Sequence, residues 1–300
     1  SISSHRFIIK VYTSIAHVFI ELERNEDAWE VIQQMGHDIN EWNDPINVRL
    51  LQSSDFYAAQ LRAIPERLDD GMQDVISHAV LIFNQCREHL TITPKDYHYV
   101  YCFCYLPNII SAFIIDRMDY MNESKKGTFL PLAFGLLEKL LHYAEIIECY
   151  NPIEGMTSAS QGYHNRGFLY YKLKRWNEAI LDYQKALDAR RFIYEYMPHK
   201  ENKRVIGETL VNIGAAQLEW CKENHTLEGH NPIDTAKEAL SIYESLYNKD
   251  YPLSEVDINK AKQLIATSYY YIGNSEEKQL GLEMMKEIYA WVIDHKENSY

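Results

Sequence analysis

Residues 163–187 constrain this chain more than any other stretch. Tyr163-His164-Asn165-Arg166-Gly167 leads into Tyr170-Tyr171-Lys172-Leu173. Glu178-Ala179-Ile180-Leu181-Asp182-Tyr183-Gln184-Lys185-Ala186-Leu187 then follows. Apolar and small residues recur at intervals of three and four in both halves, which predicts two helices back to back. Gly167, Ala179 and Ala186 leave room for the helices to approach closely, and the aromatics between them fill the seam.

The same residues resemble a tetratricopeptide repeat, a helix-turn-helix unit of about 34 residues. One such unit cannot bury its apolar face alone, so the resemblance implies a stack of units and an all-α fold, an α-solenoid. Used as a ruler, the stretch locates further copies. Tyr12, Ala16, Phe19, Ala28, Ile32 and Met35 repeat the intervals of Tyr163, Gly167, Tyr170, Ala179, Tyr183 and Ala186 without a gap, from Ile9 to Asn40. Glu23-Arg24-Asn25-Glu26 is the expected link between the two helices. A third copy starts near Lys203, with Leu210, Ile213 and Gly214 as its first-helix seam and Glu238–Leu246 as its second helix. Matching Gly214 to Gly167 leaves about 13 extra residues between those helices, including the polar turns Asn224-His225-Thr226 and Gly229-His230-Asn231-Pro232. A fourth copy starts near Ser254, with Ile265, Ala266, Tyr269 and Gly273, then Gly281, Met285 and Ile288. Arg190 and the linkers at Tyr196-Met197-Pro198 and Tyr251-Pro252 are similar to the longer repeats of kinesin light chains and bacterial arrays.

Residues 45–150 are less regular. Helical periodicity runs through Ile46–Ile64, Met72–Leu90, Tyr97–Met121 and Phe129–Cys149. Breakers are expected at Pro65, Thr93-Pro94 and Glu123–Gly127. Pro94 and Pro131 suit first-turn positions, with Thr93 and Thr128 as nearby caps, and Pro107 should kink its helix or start a new one. Two degenerate hairpins here bring the total to about six antiparallel helix pairs. The expected organisation is a single repeat domain over 1–300: one repeat in 1–44, degenerate hairpins in 45–150 and three repeats in 151–300. Its ends at Ser1 and Tyr300 read as those of a fragment of a longer protein.

A net charge of −13 disfavours nucleic acid as a partner and favours basic proteins. The five cysteines, Cys86, Cys102, Cys104, Cys149 and Cys221, match no zinc module, and most lie in apolar company. Buried free thiols in a reducing, cytoplasmic compartment follow. His98–Ile115 carries no formal charge, but its Pro107, Asn108 and Ser111 favour a buried helix over a membrane span. No phosphate-binding glycine loop, metalloprotease motif, nucleophile elbow or calcium loop is present, so neither an enzyme nor a cofactor or metal site is expected. His225 and His230 read as part of a solvated loop. The acidic clusters Asp38–Glu41–Asp44 and Asp69–Asp70–Asp74 read as helix-end charges.

The resemblance implies a groove lined by the first helix of each pair. Its candidate ligand-binding residues are His164, Asn165, Phe168, Tyr171, Lys172, Glu208, Asn212, Gln263 and Tyr270, with Gln161, Glu219 and Tyr271 beside them and Lys10, Thr13 and His17 in the first copy. Asn165 occupies a place similar to the asparagine with which co-chaperone repeats grip a peptide carboxylate. Those domains also need basic residues on the next first helix, where this chain has Val211 and Ala215, so that clamp is incomplete. Asn165 either meets a peptide or ties neighbouring helices. The expected function is a non-catalytic scaffold for a protein or peptide. The alternatives are a sensor or regulatory repeat domain of a larger protein, and an enzyme on a helical scaffold.

Overall fold

The computed structural model describes residues 2–63, 71–92, 100–248 and 253–297. Pro65, Asp69, Asp70, Thr93, Pro94, Tyr97, His98, Tyr251 and Pro252 lie outside the described residues, as do Ser1 and Tyr300. Contacts divide the chain into two compact units, Ser1–Asn165 and Arg166–Tyr300.

The first unit contains α1 (Ile2–Glu21), α2 (Asn25–Glu41), α3 (Ile46–Ala63) and α4 (Gly71–His89). A π-helical turn, Tyr101–Tyr105, then leads into α5 (Leu106–Asp116), followed by α6 (Glu123–Glu148). The next helix, α7 (Pro152–Lys172), contains the boundary between the units. Within the first unit α1 packs on α2, α3 on α4 and α5 on α6. First helices also pack on first helices, α1 on α3 and α3 on α5. The second unit continues with α8 (Trp176–Tyr196), α9 (Lys200–Asn224), α10 (Pro232–Leu246), α11 (Leu253–Ile272) and α12 (Ser275–Glu297). Each of these helices packs on the next, and α9 packs on α11. The protein is therefore an all-α solenoid of helix pairs.

The two gap-free copies share their turn in atomic detail. Glu23 and Lys174, the same position in each, both adopt a left-handed backbone, with φ of 56° and 59°. One residue later, Arg24 lies over the Phe19 ring at 4.6 Å and donates to Asp27 at 2.7 Å. Arg175 likewise lies over Tyr170 at 4.6 Å and donates to Glu178 at 2.9 Å. The arginine thus clips the end of the first helix to the start of the second. The non-helical link is Leu22–Arg24; Asn25 and Glu26, expected in the link, already belong to α2.

The third copy has a different register from the one read in the sequence. A Cβ on Gly167 would lie 2.9 Å from the Tyr183 ring, and one on Gly207 would lie 2.7 Å from the Tyr243 ring. Gly207, not Gly214, is therefore the counterpart of Gly167. Gly214 instead faces Leu264 of α11. The additional residues largely extend α9 to Asn224, leaving a shorter loop that opens at His225, whose φ is 53°. Leu218 and Cys221 are buried on that extension, so it is held by packing.

Pro131 is another correction. It lies inside α6, and the helix begins at Glu123 with Asn122 as cap, its side chain accepting from the Lys125 amide at 2.9 Å. Residues 123–127 are helical, not a breaker. Proline is tolerated there because the carbonyl four residues back belongs to exposed Gly127, where nothing would crowd a Cβ within 4 Å. Pro107 does start a helix, following the π-helical turn into α5.

Two acidic groups expected at helix ends are tertiary anchors. Asp38 accepts from Tyr12 Oη at 2.6 Å, and buried Asp44 accepts from Gln52 Nε2 at 2.8 Å and meets His5 Nδ1 at 2.9 Å. Four cysteines are buried and Cys149 is exposed. Ser54 Oγ lies 3.6 Å from Cys86 Sγ and 3.3 Å from Cys102 Sγ, which joins α3, α4 and the π-helical turn. Among the described residues no helix is long and apolar enough to cross a membrane.

Gly155, in the first turn of α7, lies against the end of α6. A Cβ there would lie 2.4 Å from Glu148 Cα. Backbone cannot swing aside as a side chain can, so Gly155→Ala is expected to cost about 3 kcal/mol, the upper end for overpacking. Urea unfolding followed by circular dichroism checks this; an unchanged midpoint would show that α7 is not seated so tightly on α6.

Candidate functional site

Nine residues were expected to line a groove. His164 and Asn165 fall in the first unit and the other seven in the second. His164 is half-buried in α7. Asn165 Nδ2 donates to Asn108 Oδ1 at 2.7 Å, and Asn108 Nδ2 donates to Gln161 Oε1 at 3.3 Å. Asn165 thus ties α7 to α5, the helix-tying alternative of the two readings.

In the second unit, half-buried Phe168 packs against the core formed by Tyr183, Leu210 and Tyr243, and Lys172 Nζ lies 5.5 Å over its ring. Glu208 is exposed on α9, and Asn212 is half-buried one turn on. Gln263 is exposed on α11, its backbone carbonyl accepting from Thr267 Oγ1 at 2.7 Å. Tyr171 and Tyr270 belong to a row that crosses three first helices. Tyr171 meets Trp176 edge-on at 5.2 Å, and the Trp176 indole N–H donates to Glu223. On α9, Lys222 Nζ pairs with Glu219 at 2.7 Å and lies 4.6 Å over the Tyr271 ring. Tyr271 meets Tyr270 edge-on at 5.1 Å. Burial, and then the Glu219 carboxylate, push the Tyr171 hydroxyl above its ordinary pKa, so it remains a neutral donor at physiological pH. The row offers aromatic faces, carboxylate acceptors and one cation.

Sequence reasoning missed Trp176, Lys222 and Glu223. The last two sit on the extension of α9, which the Gly214 register assigned to a loop. Leu218 and Cys221, spaced three apart and continuing the helical period, were the signal that could have placed them.

The first unit has its own cavity of about 390 Å³, bounded by α1, α3 and Tyr105 of the π-helical turn. Lys10, Thr13 and His17, expected in the groove of the first copy, all line it. So do Arg6, Arg62, Gln52 and Asp55, on which no expectation was placed. Burial pushes the Asp55 carboxyl up to about 6, partly opposed by the Lys10 ammonium. A folded pKa above the ordinary value of about 3.9 means the native state holds a proton that the unfolded chain has already released. Stability from this group is therefore greatest at low pH and falls as pH rises from about 4 to about 6. Asp55→Asn is expected to raise stability at pH 7.5 by about 1–3 kcal/mol and to leave it nearly unchanged at pH 4. Urea titrations at the two pH values measure this; equal effects at both would assign the gain to something other than the buried charge.

Among the described residues no group of three or more His, Cys, Asp or Glu side chains could hold a metal ion. The loop containing His225 and His230 is packed through His230, whose ring meets Trp220 edge-on at 4.4 Å.

Residues 160–191 match the family model of the tetratricopeptide repeat. The chain therefore contains a tetratricopeptide repeat, a unit that is typically non-catalytic and serves protein–protein interaction. Neither a curated protein nor a solved structure matches the chain.

Proposed function

We propose that this protein is a non-catalytic scaffold whose second unit binds a peptide or protein segment along the row from Trp176 to Tyr270. The carrying observation is that α7, α9 and α11 each place an exposed or half-exposed aromatic or charged group in one connected row. Tyrosine and tryptophan supply large contact area with little side-chain entropy to lose, which is why they anchor interfaces. Glu219 and Glu223 accompany Lys222 in the row, and the whole chain carries −13, so the reading favours a basic segment.

The test is a peptide array of basic, neutral and acidic segments probed with the full chain. Basic segments are expected to bind, and Tyr171→Ala combined with Tyr271→Ala to abolish their binding while circular dichroism stays unchanged. Equal recovery by that double variant would remove the row as the binding site. Asn165→Ala is expected to reduce stability rather than affinity, because its amide is occupied by Asn108.

A further inference from the structure

Gln52 is 1% exposed, yet it lines the cavity of the first unit. Its Nε2 donates to Asp44 Oδ2 at 2.8 Å. A carboxylate only accepts, so this bond fixes which end of the amide is which. That leaves Oε1 buried with no hydrogen-bond partner. That oxygen has almost no accessible surface, so it lies behind the cavity wall, out of reach of a molecule inside. Half-buried Asp55 supplies the acceptor on the cavity wall. Arg6, Lys10 and Arg62 supply the opposite charge, and the Arg62 guanidinium lies 5.1 Å from the centre of the Tyr105 ring. Ile9, Leu51 and Ala59 form buried apolar lining.

These groups discriminate among ligand classes. A simple anion would leave the Asp55 carboxylate unanswered. A simple cation would face three positive side chains. A molecule with both charges answers both sets, and about 390 Å³ lies within the size range of small-molecule clefts. We propose that this cavity binds a small zwitterion, a free α-amino acid or dipeptide with an apolar side chain. Its ammonium donates to Asp55, its carboxylate is taken by Arg62 with Lys10 and Arg6, and its side chain lies against Ile9, Leu51 and Ala59. The proposal is independent of the peptide-binding row in the second unit.

Isothermal titration of the full chain with leucine, leucyl-leucine, leucinamide and N-acetyl-leucine tests it. Leucine or leucyl-leucine is expected to bind; which of them binds more tightly tells a free amino acid from a dipeptide. Leucinamide lacks the carboxylate and N-acetyl-leucine lacks the ammonium, and each is expected to bind at least about tenfold more weakly, the loss of one charge-assisted contact. Asp55→Asn and Arg62→Ala should each weaken zwitterion binding by about tenfold or more with helicity retained. The Tyr171→Ala, Tyr271→Ala variant should bind the zwitterion as the parent does, which separates this site from the row. Absence of binding by both zwitterions up to about 10 mM would overturn the proposal. Equal affinity for the blocked compounds, or no loss in the two cavity variants, would overturn it as well.

Discussion

Arg166→Ala is expected to lower stability by about 3–5 kcal/mol, the loss when one partner of a buried ion pair is removed. Arg166 Nε reaches Asp182 Oδ2 at 2.6 Å and Nη2 reaches Oδ1 at 2.9 Å, a two-pronged contact between α7 and α8. Asp182 is only 4% exposed, so without the guanidinium its charge would be stranded away from water. Arg166→Lys restores a charge without the fork geometry and should recover only part of the loss. Replacing both residues, Arg166→Met with Asp182→Leu, should be milder than Arg166→Ala, because no unpaired charge remains. Urea denaturation of the three variants measures the order. If the double replacement proves worse than the single one, the pair contributes more than it costs to desolvate.

The Tyr183→Ala change is expected to have a comparable effect, about 3–5 kcal/mol, as for other large aromatics truncated in a core. Tyr183 is 1% exposed and its ring fills the space left by Gly167. Burial raises its hydroxyl pKa strongly, so the phenol is neutral, and its ring packs against Gly167. Tyr183→Phe should therefore keep most of the stability. Gly167→Ala should cost about 1–3 kcal/mol by overpacking, since its Cβ would meet a ring that has nowhere to go. Combining Gly167→Ala with Tyr183→Ala tests the fit: the added methyl should then be tolerated, and simple additivity of the two losses would contradict this packing.

These two contacts also show what the sequence could disclose. Gly167, Tyr183 and the turn between them were legible because every determinant lies within one short hairpin. The hairpin at Ile9–Asn40 was legible for the same reason, although the clip made by the arginine of its turn was not read from the sequence. The register of α9 was not legible. Gly207 and Gly214 are both glycines on one helix, and only packing against Tyr243 and Leu264 tells them apart. That slip concealed Lys222 and Glu223, and with them the contacts that join Trp176 to Tyr271 through α9. Residues 45–63 matched no repeat in the sequence, so α3 was not recognised as a partner of α1, and Gln52 and Asp55 drew no attention. Asp38 and Asp44 look like helix-end charges in sequence because their partners, Tyr12 and His5, stand far back in the chain.

The left-handed turns at Glu23 and Lys174 also bear on how the chain folds. Each is closed by contacts among residues no more than eight apart: a backbone bond to Phe19 or Tyr170, an arginine over that ring, and a carboxylate three residues on. Closing so short a loop takes on the order of 10–100 ns, long before distant helices can meet. Each unit thus carries a hairpin that can form from local information alone, and contacts of low sequence separation favour rapid folding. The same arginines that finish a turn in the native protein are placed to decide where ordering of the chain begins.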